Sequence, residues 1–99
     1  MQIEIRELRE ADIQALADIE AQTFSMPWSA RSFQTLLENP YCFYFVALVD
    51  GRIVGGAGYT ELCGEANIDN VVVAQSYRPQ VIGQALLHAL IAHGEPRRI

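Results

Sequence analysis

Between Val71 and Leu87 the chain reads Val-Val-Val-Ala-Gln-Ser-Tyr-Arg-Pro-Gln-Val-Ile-Gly-Gln-Ala-Leu-Leu, a buried strand, a polar turn and the start of an amphipathic helix. The first turn of such a helix leaves its N–H groups unpaired and pointing back along the axis. The helix dipole adds about half a positive charge there, so a strand feeding a helix in this way can hold a phosphate. Just upstream, strict alternation along Glu65 to Val73 places Glu65, Asn67, Asp69, Val71 and Val73 on one face of a strand. Ala66, Ile68, Asn70 and Val72 fall on the other. Three polar side chains are then neighbours on the surface that leads into the turn.

The elements that must position these groups are legible from periodicity. Ile3 and Ile5 alternate with charged residues as in a half-buried strand, with Leu8 a candidate to extend it, and from Ala11 to Phe24 a helix places Ile13, Leu16, Ala17 and Phe24 on one face, with Glu20 intruding. Pro27 is expected to end that helix. Ser29 can cap a second, in which Phe33, Leu36 and Leu37 share a face before Asn39-Pro40 stops it. Tyr41 to Val49 is aromatic and β-branched, and Asp50-Gly51 is a two-residue hairpin turn, so Arg52 to Cys63 returns antiparallel. Gly55, Gly56 and Gly58 mark either a strongly twisted strand or a bulge or close approach. Gly64 leads into the strand Glu65 to Val73. Val81 to His93 forms the last helix, with Ile82, Ala85, Leu86, Ala89 and Leu90 on its buried side, and Gly94 and Pro96 end it. The order is β-α-α-β-β-β-α, a mixed α/β sheet.

Residues 1–99 are expected to form one domain, and a chain of this size buries only about 60 to 70% of its unfolded surface. The net charge is −5, with seven arginines, no lysine and twelve carboxylates, so no basic stripe exists for nucleic acid. An acidic surface suits a basic peptide partner, although an ordinary acidic soluble protein is the favoured reading. Cys42 and Cys63 fall in apolar runs with no zinc spacing. No secretory leader is apparent and no apolar run is long enough for a membrane span, which together predict a cytoplasmic protein with reduced thiols. His88 and His93, five apart on the last helix, cannot form an i, i+4 metal pair and are read as surface or boundary residues, so no metal is expected.

At Tyr77-Arg78-Pro79-Gln80-Val81-Ile82-Gly83 the chain resembles the acetyl-CoA signature of the GNAT superfamily of N-acetyltransferases. The element order, the stretch Phe24-Ser25-Met26-Pro27-Trp28-Ser29 and the strand opening Glu65-Ala66-Asn67-Ile68 make it similar to bacterial ribosomal-protein-alanine N-acetyltransferases. The resemblance covers essentially the whole chain and the first two thirds of that family's domain, a truncated GNAT-like fold. It implies an acetyl-CoA-dependent enzyme that acetylates a protein or peptide N-terminal amine. It also implies that backbone groups of Val71, Val72 and Val73 hold the pantetheine arm. The turn containing Arg78, Gln80, Val81, Ile82, Gly83 and Gln84 then takes the pyrophosphate through main-chain N–H groups. Phe24, Pro27 and Trp28 correspond to the substrate-side wall, although from the residues alone core packing around a helix-ending proline is the favoured reading.

Three departures from the pattern stand out. Val81 occupies a usual glycine position, where a β-branched side chain should crowd the phosphates, and Pro79 replaces another and has no N–H to donate. One charged hydrogen bond lost would cost about 1 to 3 kcal/mol of cofactor affinity. The third is that Arg97-Arg98-Ile99 matches the start of the family's next strand, so the segment carrying the related enzymes' catalytic glutamate and tyrosine has no counterpart in these residues. Tyr77, in the phosphate turn, is on the wrong side of the thioester to replace that acid. Other GNAT enzymes place a basic carboxylate near the position of Asn67, and Glu65 and Asp69 flank it, so they are the candidate catalytic bases; the alternative is a polar strand end facing solvent or a second subunit. A second function follows from the strand itself. Left without a neighbour, Glu65 to Val73 would template β-augmentation, making a non-catalytic module that self-associates as a homo-oligomer.

Overall fold

The computed structural model describes residues 2–77 and 79–95, with Pro79 described by its backbone alone. Strand β1 (Ile3–Glu7) is followed by a 3-10 turn (Glu10–Asp12), helices α1 (Ile13–Thr23) and α2 (Ala30–Glu38), strands β2 (Cys42–Val49), β3 (Arg52–Leu62) and β4 (Glu65–Val73), and helix α3 (Pro79–Gly94). The β-α-α-β-β-β-α order read from the sequence is therefore the order of the fold. The sheet runs β1-β2-β3-β4, antiparallel throughout.

Helices cover both faces of this sheet, which is why β2 is almost continuously apolar instead of alternating with polar residues. Tyr44, Val46 and Leu48 point toward Leu16 and Ile19 of α1 and Phe33 and Leu36 of α2. Phe45, Ala47 and Val49 point the other way, onto Ile82, Leu86 and Leu90 of α3. Ser29 caps α2 by accepting from the Ser32 N–H at 3.2 Å. The hairpin turns use left-handed residue pairs, Asp50-Gly51 (φ 53° and 77°) and Cys63-Gly64 (φ 53° and 80°).

Several sequence expectations need correction. Helix α1 stops at Thr23, before Pro27, and Phe24 is already extended (φ −119°, ψ 149°) and exposed. Past the stop the chain folds back so that the Trp28 N–H reaches the side chain of Glu20 at 2.8 Å. Cys63 lies in a turn and is exposed, while Cys42 is half-buried. The face assignment along β4 also fails in part. Gly58 pairs with Asn70 but Tyr59 with Ile68, leaving Asp69 as an extra residue in a bulge. Beyond the bulge the alternation changes phase: Ala66 and Ile68 border α3, whereas Asn70 and Val72 turn toward α1.

The glycine run is explained by close approach. A Cβ on Gly55 would sit 2.6 Å from the Val72 carbonyl oxygen, and one on Gly56 would meet the Tyr44 ring at 2.5 Å. Glycines on the α1 side of β3 let the Tyr44 ring lie across the sheet under Leu16.

Candidate functional site

Strand β4 presents an open edge along its length among the described residues, because its one strand neighbour is β3. The Ala74 N–H donates to the Val54 carbonyl at 2.8 Å. In the same antiparallel register Val72 pairs inward with Gly56, so the N–H and C=O groups of Val71 and Val73 point to the open edge. The side chain of Val72 is buried against α1 and that of Val73 packs toward α3. The edge therefore offers main-chain donors and acceptors on a fixed support, as an extended amide-containing chain requires.

From Val73 the chain turns through Ala74–Tyr77, closed by a Tyr77 N–H to Ala74 carbonyl bond at 3.1 Å, and enters α3. The helix begins at Pro79, which has no N–H of its own, so the N–H groups of Gln80 and Val81 are the described ones with no helical carbonyl one turn back. Ile82 is fully buried under the sheet and anchors the helix start, while Gln80, Val81 and Gln84 are exposed. A Cβ on Gly83 would have no atom within 4 Å. Open space beside two unpaired main-chain donors fits a diphosphate oxygen. Arg78 lies outside the described residues, as do Arg97, Arg98 and Ile99.

At the other end of this edge the bulge turns Asp69 into a cleft of about 400 Å³ lined by Trp28, Ser32, Thr35, Leu36, Asn39, Cys42 and Thr60. The Thr60 hydroxyl donates to the Asp69 carboxylate, and Cys42 Sγ lies 3.2 Å from the same hydroxyl oxygen. A hydroxyl has one proton to give, so with that proton donated in the bond to Asp69 the thiol is the donor to Thr60, and the chain of bonds ends on the carboxylate. Trp28 packs on Phe33 with ring centroids 5.4 Å apart and stands at the rim. An acidic group beside an aromatic wall can receive a cationic amine and its proton.

Behind the cleft lies a buried polar bridge. Glu20 accepts from the Trp28 N–H and, at 3.0 Å, from Asn70 Nδ2; Asn70 Oδ1 accepts from the Tyr44 hydroxyl at 2.6 Å. Burial first, and the charge of Glu20 second, hold the Tyr44 phenol protonated well above the ordinary tyrosine range. It is a fixed donor.

The structure thus gathers Asp69 and Trp28 at one cleft and Val71, Val73 and the α3 turn along one edge. Glu65 is not with them. It is exposed beside the Cys63-Gly64 turn, four residues from Asp69, or about 13 Å at strand rise. Phe24 and Pro27 are exposed next to the cleft's Trp28 and are not part of the core. Thr60, Asn70 and Tyr44 escaped sequence reasoning; the one signal was the charged Glu20 on an otherwise apolar helical face. His93 is half-buried, with Nδ1 2.7 Å from the Tyr59 hydroxyl, and His88 is exposed. Among the described residues no three metal-ligating side chains cluster, and no helix is long and apolar enough to cross a membrane.

The model of the Acetyltransferase (GNAT) family matches residues 13–99. A Bacillus subtilis protein provisionally named ribosomal protein bS18-alanine N-acetyltransferase is 36% identical over 88 residues, which are 88% of this chain and 58% of that protein. The crystal structure of the Escherichia coli ribosomal-protein-S18-alanine N-acetyltransferase superposes with a TM-score of 0.87 at 28% identity, over 97% of this chain and 61% of that one. A Thermoplasma acidophilum PaiA N-acetyltransferase, solved with coenzyme A, shares the fold with a TM-score of 0.84 at 18% identity, over 98% and 74% of the two chains. The chain spans about three fifths of the length of the first two.

Proposed function

The chain belongs to the acetyltransferase (GNAT) family, and from that premise we propose that it transfers an acetyl group from acetyl-CoA to a primary amine, the N-terminal amine of a protein. One observation carries the reading: the outward-facing backbone of Val71 and Val73 continues at one end into the donor-rich start of α3 and at the other into the bulge that aims Asp69 at the Trp28 cleft. An acyl donor laid along β4 would have its diphosphate at Gln80–Gln84 and its thioester toward the bulge, beside the carboxylate. The names of the relatives, which specify an alanine amine of ribosomal protein bS18, support a protein N-terminus as acceptor.

In this reaction the amine nitrogen attacks the thioester carbonyl. A C–N bond forms and the C–S bond breaks, the ammonium proton passes to a base, and the departing thiolate takes a proton. Asp69 is the base we assign, with Thr60 and Cys42 orienting it, and Trp28, flanked by Phe24 and Pro27, forms the acceptor side. Proximity supplies most of the acceleration and the base a further factor of about 10² to 10⁴. Steady-state acetylation of a peptide bearing a free N-terminal alanine tests the assignment. Asp69→Asn should lower kcat by that factor, and Glu65→Gln, at the far end of the strand, measures whether the second carboxylate contributes. Full turnover by both variants, singly and combined, would remove the carboxylates from the mechanism.

A second reading rests on the same edge. Ile68 and Val71 are exposed on β4 beside its unpaired backbone, so the strand is also suited to pair with another copy of itself. Sedimentation of the purified chain distinguishes the two: a monomer over the working concentration range rules out self-pairing, whereas a dimer that loses acetyl-CoA binding as it forms would favour it.

A further inference from the structure

Glu20 is a carboxylate with 1% of its surface exposed and, among the described residues, no cation at salt-bridge distance. Burying an uncompensated carboxylate is costly, and apolar side chains of similar volume commonly stabilise such sites as well or better. Stability is therefore a poor account of what this side chain does. Its two oxygens are each used by a different element: Oε1 takes the Trp28 N–H at 2.8 Å, and Oε2 takes the Asn70 amide at 3.0 Å. Trp28 is the rim of the acceptor cleft. Asn70 follows the bulged Asp69 and precedes Val71, so it lies between the proposed base and the proposed donor-holding edge. The Tyr44 hydroxyl, anchored in the middle of the sheet, fixes which way the Asn70 amide faces, because a buried phenol donates to Oδ1 and leaves Nδ2 for Glu20.

We propose that Glu20 is a positioning residue, a two-point latch that holds the Phe24–Trp28 wall at a set distance from the Asp69–Val71 stretch of β4 and so sets the width of the acceptor cleft. This rests on the acetyltransferase reading above for its consequence, not for its geometry. The latch has a definite polarity, running from Tyr44 O–H to Asn70, from Asn70 N–H to Glu20, and from Trp28 N–H to Glu20. Asn70→Asp alone sets two carboxylates face to face. Glu20→Gln alone sets amide donor against amide donor unless Asn70 flips, and a flipped Asn70 no longer accepts from Tyr44. Glu20→Gln combined with Asn70→Asp moves the charge across one hydrogen bond, from position 20 to position 70, and keeps all three hydrogen bonds.

Trp28 is the chain's single tryptophan, so its emission and acrylamide quenching report on this wall alone. In the full chain, each single variant should raise the Trp28 quenching constant and raise KM for the acceptor peptide by about tenfold or more, the loss expected when a charged hydrogen bond is broken, while KM for acetyl-CoA stays put. The double variant should return both quenching and acceptor KM to near the wild-type values. The proposal fails if the single variants leave quenching unchanged, if the double variant is no better than Asn70→Asp, or if the KM values for acceptor and acetyl-CoA rise together. If Asn70→Asp does not fold, recovery of a folded chain with native quenching in the double variant decides the matter. Should the wild-type chain transfer no acetyl group, the acetyltransferase reading falls, and the fluorescence arm still tests the latch.

Discussion

A methyl group added at Gly58 has no room. Its Cβ would lie 2.3 Å from Cδ2 and 3.0 Å from Cγ of Tyr44, and 2.8 Å from the Phe43 carbonyl oxygen, where carbon atoms at rest stand about 3.5 to 4.0 Å apart. The Tyr44 ring would have to retreat by more than an ångström. It is 4% exposed, packed edge-on against Phe33 with centroids 5.6 Å apart, and tied by its hydroxyl to Asn70. Overpacking of this kind costs about 1 to 3 kcal/mol, and loss of the Tyr44–Asn70 bond adds about 1. Gly58→Ala should therefore destabilise the fold by about 2 to 4 kcal/mol, against a total near the low end of the usual 5 to 15. The midpoint should fall by roughly 10 to 30 °C. Thermal and urea unfolding followed by circular dichroism measure it, and shrinking the ring with Tyr44→Leu in the same background should recover part of the loss. A variant within about 0.5 kcal/mol of wild type would show that the Tyr44 ring does not cross β3 at Gly58, and the account of the glycine run would fall with it.

Gly83→Ala goes the other way. With nothing within 4 Å of the added carbon, it should stabilise α3 by about 0.5 to 1 kcal/mol, while weakening acetyl-CoA binding in a calorimetric titration if that space receives the diphosphate. Val81→Gly should tighten the same titration if the branched side chain stands where the phosphates approach the helix start. The Arg6 guanidinium, hydrogen-bonded to Asp12 at 2.7 and 3.0 Å with the Arg9 N–H at 2.9 Å beside it, holds the Asp12 carboxyl below its ordinary range. A lowered folded value means stability that is present above the unfolded pKa near 4 and lost as pH falls through the folded one. Arg6→Ala should thus cost about 1 to 2 kcal/mol at neutral pH, and the gap between variant and wild type should close in urea titrations carried well below pH 4. Ser29→Ala removes the α2 cap and should cost about 1 kcal/mol.

Local chemistry made much of this fold legible. Asp50-Gly51 has one well-fitted role between two apolar runs, and Ser29 and Asn39-Pro40 bracket α2 because caps and breakers act within a few residues. The resemblance of the Tyr77 to Gly83 turn likewise follows from short-range sequence. What escaped depended on distant partners. The bulge at Asp69 adds one residue without altering composition, yet it reverses the facing of everything before it, sending Asp69 to the cleft while Ile68 borders α3. Glu20 registered in the sequence only as a charge on an apolar face, since its partners are 8 and 50 residues away.

The sequence by itself determined the order of elements, the buried faces of α2 and α3 and the strand-to-helix connection, because each is set by periodicity, capping and turn chemistry within a dozen residues. Only the tertiary structure decided which carboxylate meets the cleft and which one bridges its walls. A side chain's neighbours across a sheet depend on register, and one extra residue in β4 shifts that register without leaving a mark in the sequence around it.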